Sequence, residues 1–126
     1  MAEKVCLDTD VCISIIKGKD YADNISDLIA SGLVFVASIT IFELFLRKEN
    51  LEELKDFLDG IFVLDFNEHC AMKASDIYKE LKSKGSLIEF RDIFIASAAI
   101  TNNCSLATFN KKHFSKINGL KIFDKI

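Results

Sequence analysis

Three carboxylates in this chain adjoin apolar segments, where a lone charge is costly. Asp8 follows an apolar run, Glu43 interrupts the apolar stretch 39–46, and Asp92 precedes another apolar run. A carboxylate against an apolar element is unfavourable unless it is paired, hydrogen-bonded or bound to a metal. The three lie 35 and 49 residues apart, so only the fold could bring them together. We interpret them as ligands of a divalent cation in a hydrolase.

A fourth polar residue, Asn110, follows the strand-like segment 106–109. A cluster of oxygen ligands without a paired His or Cys favours a hard ion, so we predict Mg²⁺, with Mn²⁺ able to substitute. Such an ion ionises a water and neutralises charge on the scissile phosphate and the leaving oxygen of a phosphodiester. The sequence therefore predicts a phosphodiesterase site built from these residues.

The composition indicates one globular domain, residues 1–126. Hydrophobic residues make up 50% of the chain and charged residues 28%. The longest uncharged stretch, 93–110, contains Thr, Ser and Asn, so we expect no membrane span, and the N-terminus lacks the pattern of a signal peptide. The four cysteines form no CxxC pair, which indicates reduced thiols of a cytoplasmic protein and no zinc site.

Helical and strand-like patterns alternate along the chain. The predicted strands are 4–8, 33–37, 61–66, 106–109 and 120–123. The predicted helices are 11–17, 25–29, 51–58, 67–83 and 91–103, with one more that Ser38 or Thr40 could cap and that runs to about Lys48. Near-continuous apolar strands between helices favour a mainly parallel sheet covered on both faces, a three-layer α/β/α sandwich. Because ligands bind at the carboxyl ends of such strands, we expect the four polar residues to converge there.

Four motifs resemble the successive motifs of a known family. They are LDTD at 7–10, TIFEL at 40–44, RDIFIAS at 91–97 and LATFN at 106–110. Their order and spacing, over the whole chain, are similar to those of the PIN domain, and in layout to the single-domain VapC-type toxins of prokaryotic toxin–antitoxin pairs. The resemblance implies a Mg²⁺-dependent endoribonuclease whose acidic residues map onto Asp8, Glu43 and Asp92, with the fourth polar position at Asn110.

The fourth position departs from the family pattern, in which Asp is frequent. Asn110 is neutral, so we expect a second metal site to be weakened. The resemblance also implies a homodimer and a cognate antitoxin whose tail occupies the acidic cleft. An Arg or Lys from that tail would pair with the carboxylates in place of the metal.

Binding of an RNA substrate must rely on local positive charge, because the net charge is −3. Two cations directly adjoin the proposed site residues. Arg91 precedes Asp92, and Lys111 follows Asn110. We therefore expect Arg91 and Lys111 to contact the RNA.

Structural roles for these residues are the alternatives. Asp8 could be only a helix N-cap, and Asp92 only a first-turn acid favoured by the helix dipole. Glu43 could form an ion pair with Arg47 at i+4. We expect His113 to be a turn or packing residue.

Four other functions are compatible with parts of the sequence. The DxD pattern at Asp8 and Asp10 fits a haloacid-dehalogenase-like phosphatase, but its later catalytic Lys and acidic motif are not evident. The same pair with Asp65 allows a receiver domain, which would leave Glu43 and Asp92 without a role. A PIN fold could also serve as a non-catalytic scaffold, or as an RNA-processing nuclease that is not a toxin.

Overall fold

One parallel sheet organises the chain. A computed structural model describes residues 2–18 and 22–126, the side chains of 22–24 excepted. Its four strands are β1 (Val5–Leu7), β2 (Val34–Ala37), β3 (Phe62–Leu64) and β4 (Ser105–Ala107). The strand order is β3-β2-β1-β4, and every pair is parallel. The central strand β1 and the edge strand β4 therefore end side by side. Asp8 follows β1 and Thr108 follows β4, so the two residues are neighbours.

Seven helices within the described residues cover the two faces of the sheet. They are α1 (Thr9–Ile16), α2 (Ala22–Ala30), α3 (Ser38–Phe45), α4 (Leu51–Leu58), α5 (Glu68–Ser83), α6 (Phe90–Thr101) and α7 (Lys111–Phe114). Residues of α5, α6 and α7 pack with Cys6 and Leu106 in one core cluster. Residues of α1 to α4 pack with Leu7 and Ala107 in the other. The predicted α/β/α sandwich is confirmed.

Helix α6 lies at the centre of the first core cluster. Five successive residues, from Ile95 to Ala99, are buried, as expected for a helix that is apolar nearly all round. The preceding helix α5 begins at the N-cap Asn67, whose side chain accepts a hydrogen bond from Cys70 N at 3.0 Å, and Gly85 follows its end with φ +66°. This packing fixes the first turn of α6, which carries Asp92.

The predicted fifth strand, 120–123, is wrong. Two backbone hydrogen bonds, from Leu106 N to Lys121 O and from Phe123 N to Leu106 O, form only an isolated parallel bridge between Leu106 and Ile122. The apolar residues of this segment pack into the core, Phe123 being buried, without continuing the ladder. An apolar run in the sequence indicates that a segment is buried. It does not indicate that the backbone of the segment pairs with a neighbouring strand.

The predicted cap and end of α3 are also wrong. The N-cap is Ala37, which makes no side-chain cap hydrogen bond, and the helix ends at Phe45 instead of Lys48. Ser38 Oγ accepts instead from Phe66 N at 3.2 Å. Thr40 Oγ1 lies 3.2 Å from Thr9 Oγ1. Both hydroxyls are used in tertiary contacts, which no local pattern reveals.

All four cysteines are buried and unpaired. Within the described part of the chain, the helices are too short or too polar to cross a bilayer.

Candidate active site

Asp8 lies at the carboxyl end of β1 and is the N-cap of α1. Its Oδ1 accepts from Thr9 N at 2.9 Å, and its Oδ2 accepts from Thr108 Oγ1 at 2.8 Å. Its backbone N donates to Ala107 O at 2.9 Å, which ties the residue to β4. The carboxylate is buried, with 7% of the residue exposed. Asp8 therefore caps α1 and also lies at the carboxyl end of the sheet, where ligands are expected to bind.

The carboxyl of Asp8 is difficult to ionise. Burial raises its pKa to about 6, although the hydrogen bonds from Thr108 and Thr9 act in the opposite direction. The negative charges of Asp92 and Asp10 raise the pKa further. The charge of Asp92 thus disfavours ionisation of Asp8, and a bound cation would relieve that repulsion.

Glu43, on α3, is held by two different elements. Its Oε1 accepts from Thr9 Oγ1 at 2.8 Å, and its Oε2 accepts from Arg91 Nη1 at 3.0 Å. Arg91 also donates through Nη2 to Glu89 Oε2 at 3.2 Å. The Glu43 side chain is only 16% exposed. The cation that pairs with Glu43 is therefore Arg91, where the sequence offered Arg47 as an alternative.

Asp92 stands in the first turn of α6 and contacts His113. The distance from Asp92 Oδ2 to His113 Nε2 is 3.3 Å. Burial raises the pKa of Asp92, and the charge and hydrogen bond of His113 oppose that rise. The His113 ring also packs edge-on against Phe114. The sequence indicated packing for His113 but gave no signal for its contact with Asp92, because the two residues belong to different motifs.

Thr108 is a further residue that sequence reasoning missed. Besides donating to Asp8, its Oγ1 accepts from Asn110 N at 3.0 Å, so one hydroxyl links an acid to the fourth polar position. Asn110 is exposed at the N-cap of α7 and makes no side-chain cap hydrogen bond. Lys111 follows it and is exposed. The only available signal for Thr108 was its place within the LATFN motif.

The donor chemistry of Asp8 and Asp92 suits a hard divalent ion. Asp8 and Asp92 offer carboxylate oxygens, the ligand type that Mg²⁺ and Mn²⁺ prefer, and both have raised pKa values that a cation would lower. Across residues 2–18 and 22–126, no three His, Cys, Asp or Glu side chains are arranged to hold an ion. Glu43 is bonded to Arg91 instead. Asp8 and Asp92 thus supply oxygen donors of the type that a divalent ion requires, whereas Glu43 is paired with a cation in this structure.

Comparison with known proteins identifies the family. The model of the PIN domain matches residues 5–120, so the chain belongs to the PIN domain family. Nucleases of this kind, of the VapC type, are metal-dependent in general.

Individual relatives are similar over nearly their full length. Ribonuclease VapC2 of Rickettsia felis is 32% identical over 123 residues, covering 90% of this chain and 92% of that protein. The tRNA(fMet)-specific endonuclease VapC of Shigella flexneri is 29% identical over 128 residues, covering 96% of this chain and 97% of that protein. The crystal structure of DNA-bound VapBC from Salmonella typhimurium matches with a TM-score of 0.89 at 29% identity, covering 99% of this chain and 100% of that chain.

Proposed function

We propose that this chain, acting as one domain in the cytoplasm, is a metal-dependent endoribonuclease and the toxin of a VapBC-type pair. The observation that carries the proposal is a pair of acids from distant segments, the buried Asp8 and the half-buried Asp92, each with a raised pKa. Such a pair is unfavourable in an empty site and favourable around a cation. The family and the ribonuclease relatives support the same chemistry.

The residues of the cleft have distinct roles in this proposal. Asp8 and Asp92 would hold Mg²⁺, or Mn²⁺ in its place, and Glu43 would complete the set once it leaves Arg91. The ion supplies water activation and neutralises charge on the phosphate. Hydrogen bonds from Thr108 and Thr9 keep the Asp8 carboxylate in one orientation. Asn110, neutral and exposed, would orient a water or the substrate through its amide.

Two cations at the rim would bind the RNA. Lys111 is exposed next to Asn110, and the Arg91 side chain is 50% exposed beside Asp92. When Glu43 turns to the metal, Arg91 Nη1 would be released to contact a phosphate, while Nη2 can stay bonded to Glu89. The same movement of the Glu43 side chain would thus complete the metal site and make Arg91 available to bind RNA.

A cognate antitoxin is the proposed protein partner. The pairing of Glu43 with Arg91 demonstrates that a guanidinium can satisfy this carboxylate. An Arg or Lys from the antitoxin tail would do the same and exclude the metal. A protein encoded next to this chain should copurify with it and inhibit cleavage. If expression is harmless and no such protein copurifies, an RNA-processing nuclease without a toxin role is the better description.

We also propose a homodimer, formed through an aromatic groove between α5 and α6. The groove has a volume of about 300 Å³ and is lined mainly by apolar side chains, all of them uncharged: Phe66, Ala71, Ala74, Ser75, Tyr78, Phe90, Ile93 and Phe94. Phe90 is 62% exposed there. A two-fold contact presents the same patch to itself, so an uncharged aromatic surface suits it without repulsion between like charges.

Cleavage of RNA by the purified protein tests the proposed activity. We expect wild type to cut RNA with Mg²⁺ and to stop when EDTA is added. Asp92→Asn and Glu43→Gln, which keep size and remove charge, should each lose at least about 100-fold in rate. Asp56→Asn, an exposed acid on α4, is the matched control and should cut normally. A tRNA mixture belongs among the substrates because a relative is named for tRNA(fMet). Equal activity in Asp92→Asn and wild type would refute the proposal.

A further inference from the structure

One short segment, residues 108–113, contacts two of the three acids. At its beginning, Thr108 Oγ1 donates to Asp8 Oδ2 at 2.8 Å. At its end, His113 Nε2 lies 3.3 Å from Asp92 Oδ2. The acids themselves come from the ends of β1 and the start of α6. The segment is therefore a brace between the two carboxylates.

The imidazole of His113 is held firmly within this brace. Its backbone N donates to Asn110 O at 3.1 Å, and Asn110 N in turn donates to Thr108 Oγ1 at 3.0 Å. The His113 ring packs edge-on against Phe114, with 5.8 Å between ring centroids, and Phe114 is fully buried. The backbone of His113 is thus anchored, and its ring packs against a buried neighbour while Nε2 lies 3.3 Å from Asp92 Oδ2.

We propose that His113 is a positioning residue for the metal site, acting through Asp92. Its Nε2 lies 3.3 Å from Asp92 Oδ2, and this contact would hold the Asp92 carboxylate in one orientation for binding the ion. Asp92 is otherwise only partly enclosed, with 28% of its side chain exposed, so it has rotational freedom to lose. Partners that orient a ligating group typically change metal affinity by 10- to 100-fold. The inference rests on the proposed metal site.

Metal titration of three variants tests this role. Mn²⁺ is titrated against the full chain while the melting temperature is followed. His113→Leu, which keeps bulk and loses the donor, should weaken the apparent affinity by about 10- to 100-fold. His113→Gln, whose amide nitrogen reaches a position near that of Nε2, should restore most of it. His69→Gln, an exposed histidine on α5, is the control and should match wild type. At saturating metal, KM for RNA should stay unchanged in His113→Leu, because His113 does not touch the substrate.

Each outcome separates this inference from the proposed function. If wild type shows no metal-dependent shift, the metal site itself fails and the role of His113 fails with it. If wild type responds and His113→Leu binds Mn²⁺ equally or more tightly, His113 does not position Asp92 and only this inference is overturned. A raised KM at saturating metal would make His113 a substrate contact. Failure of His113→Gln to restore binding where His113→Leu loses it would also overturn the positioning role.

Discussion

Arg91 Nη1 donates to Glu43 Oε2 at 3.0 Å, although 48 residues separate the two in the chain. The contact joins the start of α6 to α3 and places a cation on the acid that a metal would need. Since Arg91 also bonds to Glu89, which is exposed, its guanidinium has a second partner when it leaves Glu43. In the proposed site, metal binding and the Arg91–Glu43 pair would therefore compete for the Glu43 carboxylate.

Release of Glu43 should strengthen metal binding. Arg91→Gln removes the competing cation, and because the half-exposed Arg91 is screened by solvent, the pair should contribute about 1 kcal/mol at most, so we expect the Mn²⁺ affinity to rise by about two- to fivefold. Isothermal titration of the purified chain measures it. Arg47→Gln is the control. It removes the cation four residues after Glu43, which does not pair with Glu43, and should leave the Mn²⁺ affinity unchanged. A weaker affinity in Arg91→Gln would show that Arg91 supports the site instead of competing for it.

The same cation should contact RNA together with Lys111. In Arg91→Glu with Lys111→Glu, two phosphate contacts are lost, so the log–log slope of binding against salt should flatten by about 1.4 for a single strand. Fluorescence anisotropy with an inactive Asp92→Asn background measures binding without cleavage. The control Lys79→Glu with Lys125→Glu makes the same change in net charge at two exposed lysines. An equal change of slope in the control would indicate a general field effect and no local contact.

Asp8 should reduce the stability of the metal-free protein at neutral pH. With a folded-state pKa raised to about 6, its ionisation costs the folded chain about 3 kcal/mol more than the unfolded chain. Above pH 6 the folded chain bears that full cost, and below about pH 4 both states are protonated and the cost disappears. Asp8→Asn should therefore raise the melting temperature by at least about 3 °C at pH 8 in EDTA, since part of the gain is offset at the hydroxyl of Thr108.

The pH dependence separates this effect from a general change in packing. At pH 4 the melting temperatures of Asp8→Asn and wild type should converge. Asp10→Asn, an exposed neighbour, should change little at either pH. A stabilisation of Asp8→Asn that persists unchanged at pH 4 would contradict the electrostatic explanation.

The aromatic groove should determine the oligomeric state. Phe90→Glu places a charge in the uncharged groove between α5 and α6, so the proposed dimer should be replaced by a monomer in light scattering coupled to gel filtration. Leu51→Glu adds the same charge at an exposed apolar residue of α4, which packs on the other face of the sheet. It should remain dimeric. A dimer that survives Phe90→Glu would place the interface elsewhere.

The strand and helix pattern could be predicted from the hydrophobicity of the sequence. Strands of a sheet that is covered on both faces are buried on both sides, so they are nearly continuous apolar runs. Strands β1, β2 and β4 are nearly continuous apolar runs, and α6 is apolar nearly all round. The predictions of secondary structure were wrong where a residue makes a contact with a segment distant in sequence. Ser38 bonds to a backbone N instead of capping α3, and residues 120–123 reach the core through a single bridge.

The acids of the cleft could be found because a carboxylate among apolar residues is conspicuous. Their partners could not, because a threonine or histidine in a loop is ordinary in sequence. Thr108 and His113 acquire a role only when the segment 108–113 lies across the ends of β1 and α6. Likewise, the cation that pairs with Glu43 comes from a distant element, whereas local spacing pointed to Arg47.

The ends of the RNA products test the central claim, a metal-dependent phosphodiesterase, most directly. Attack by a metal-activated water leaves a 5′-phosphate and a 3′-hydroxyl, whereas general acid–base ribonucleases use the 2′-hydroxyl and leave cyclic phosphates. One RNA cleaved by the purified wild type with Mg²⁺ should give 3′ ends that a poly(A) polymerase extends without prior phosphatase treatment. Products that end in 2′,3′-cyclic phosphate, or cleavage that persists in EDTA, would contradict the account.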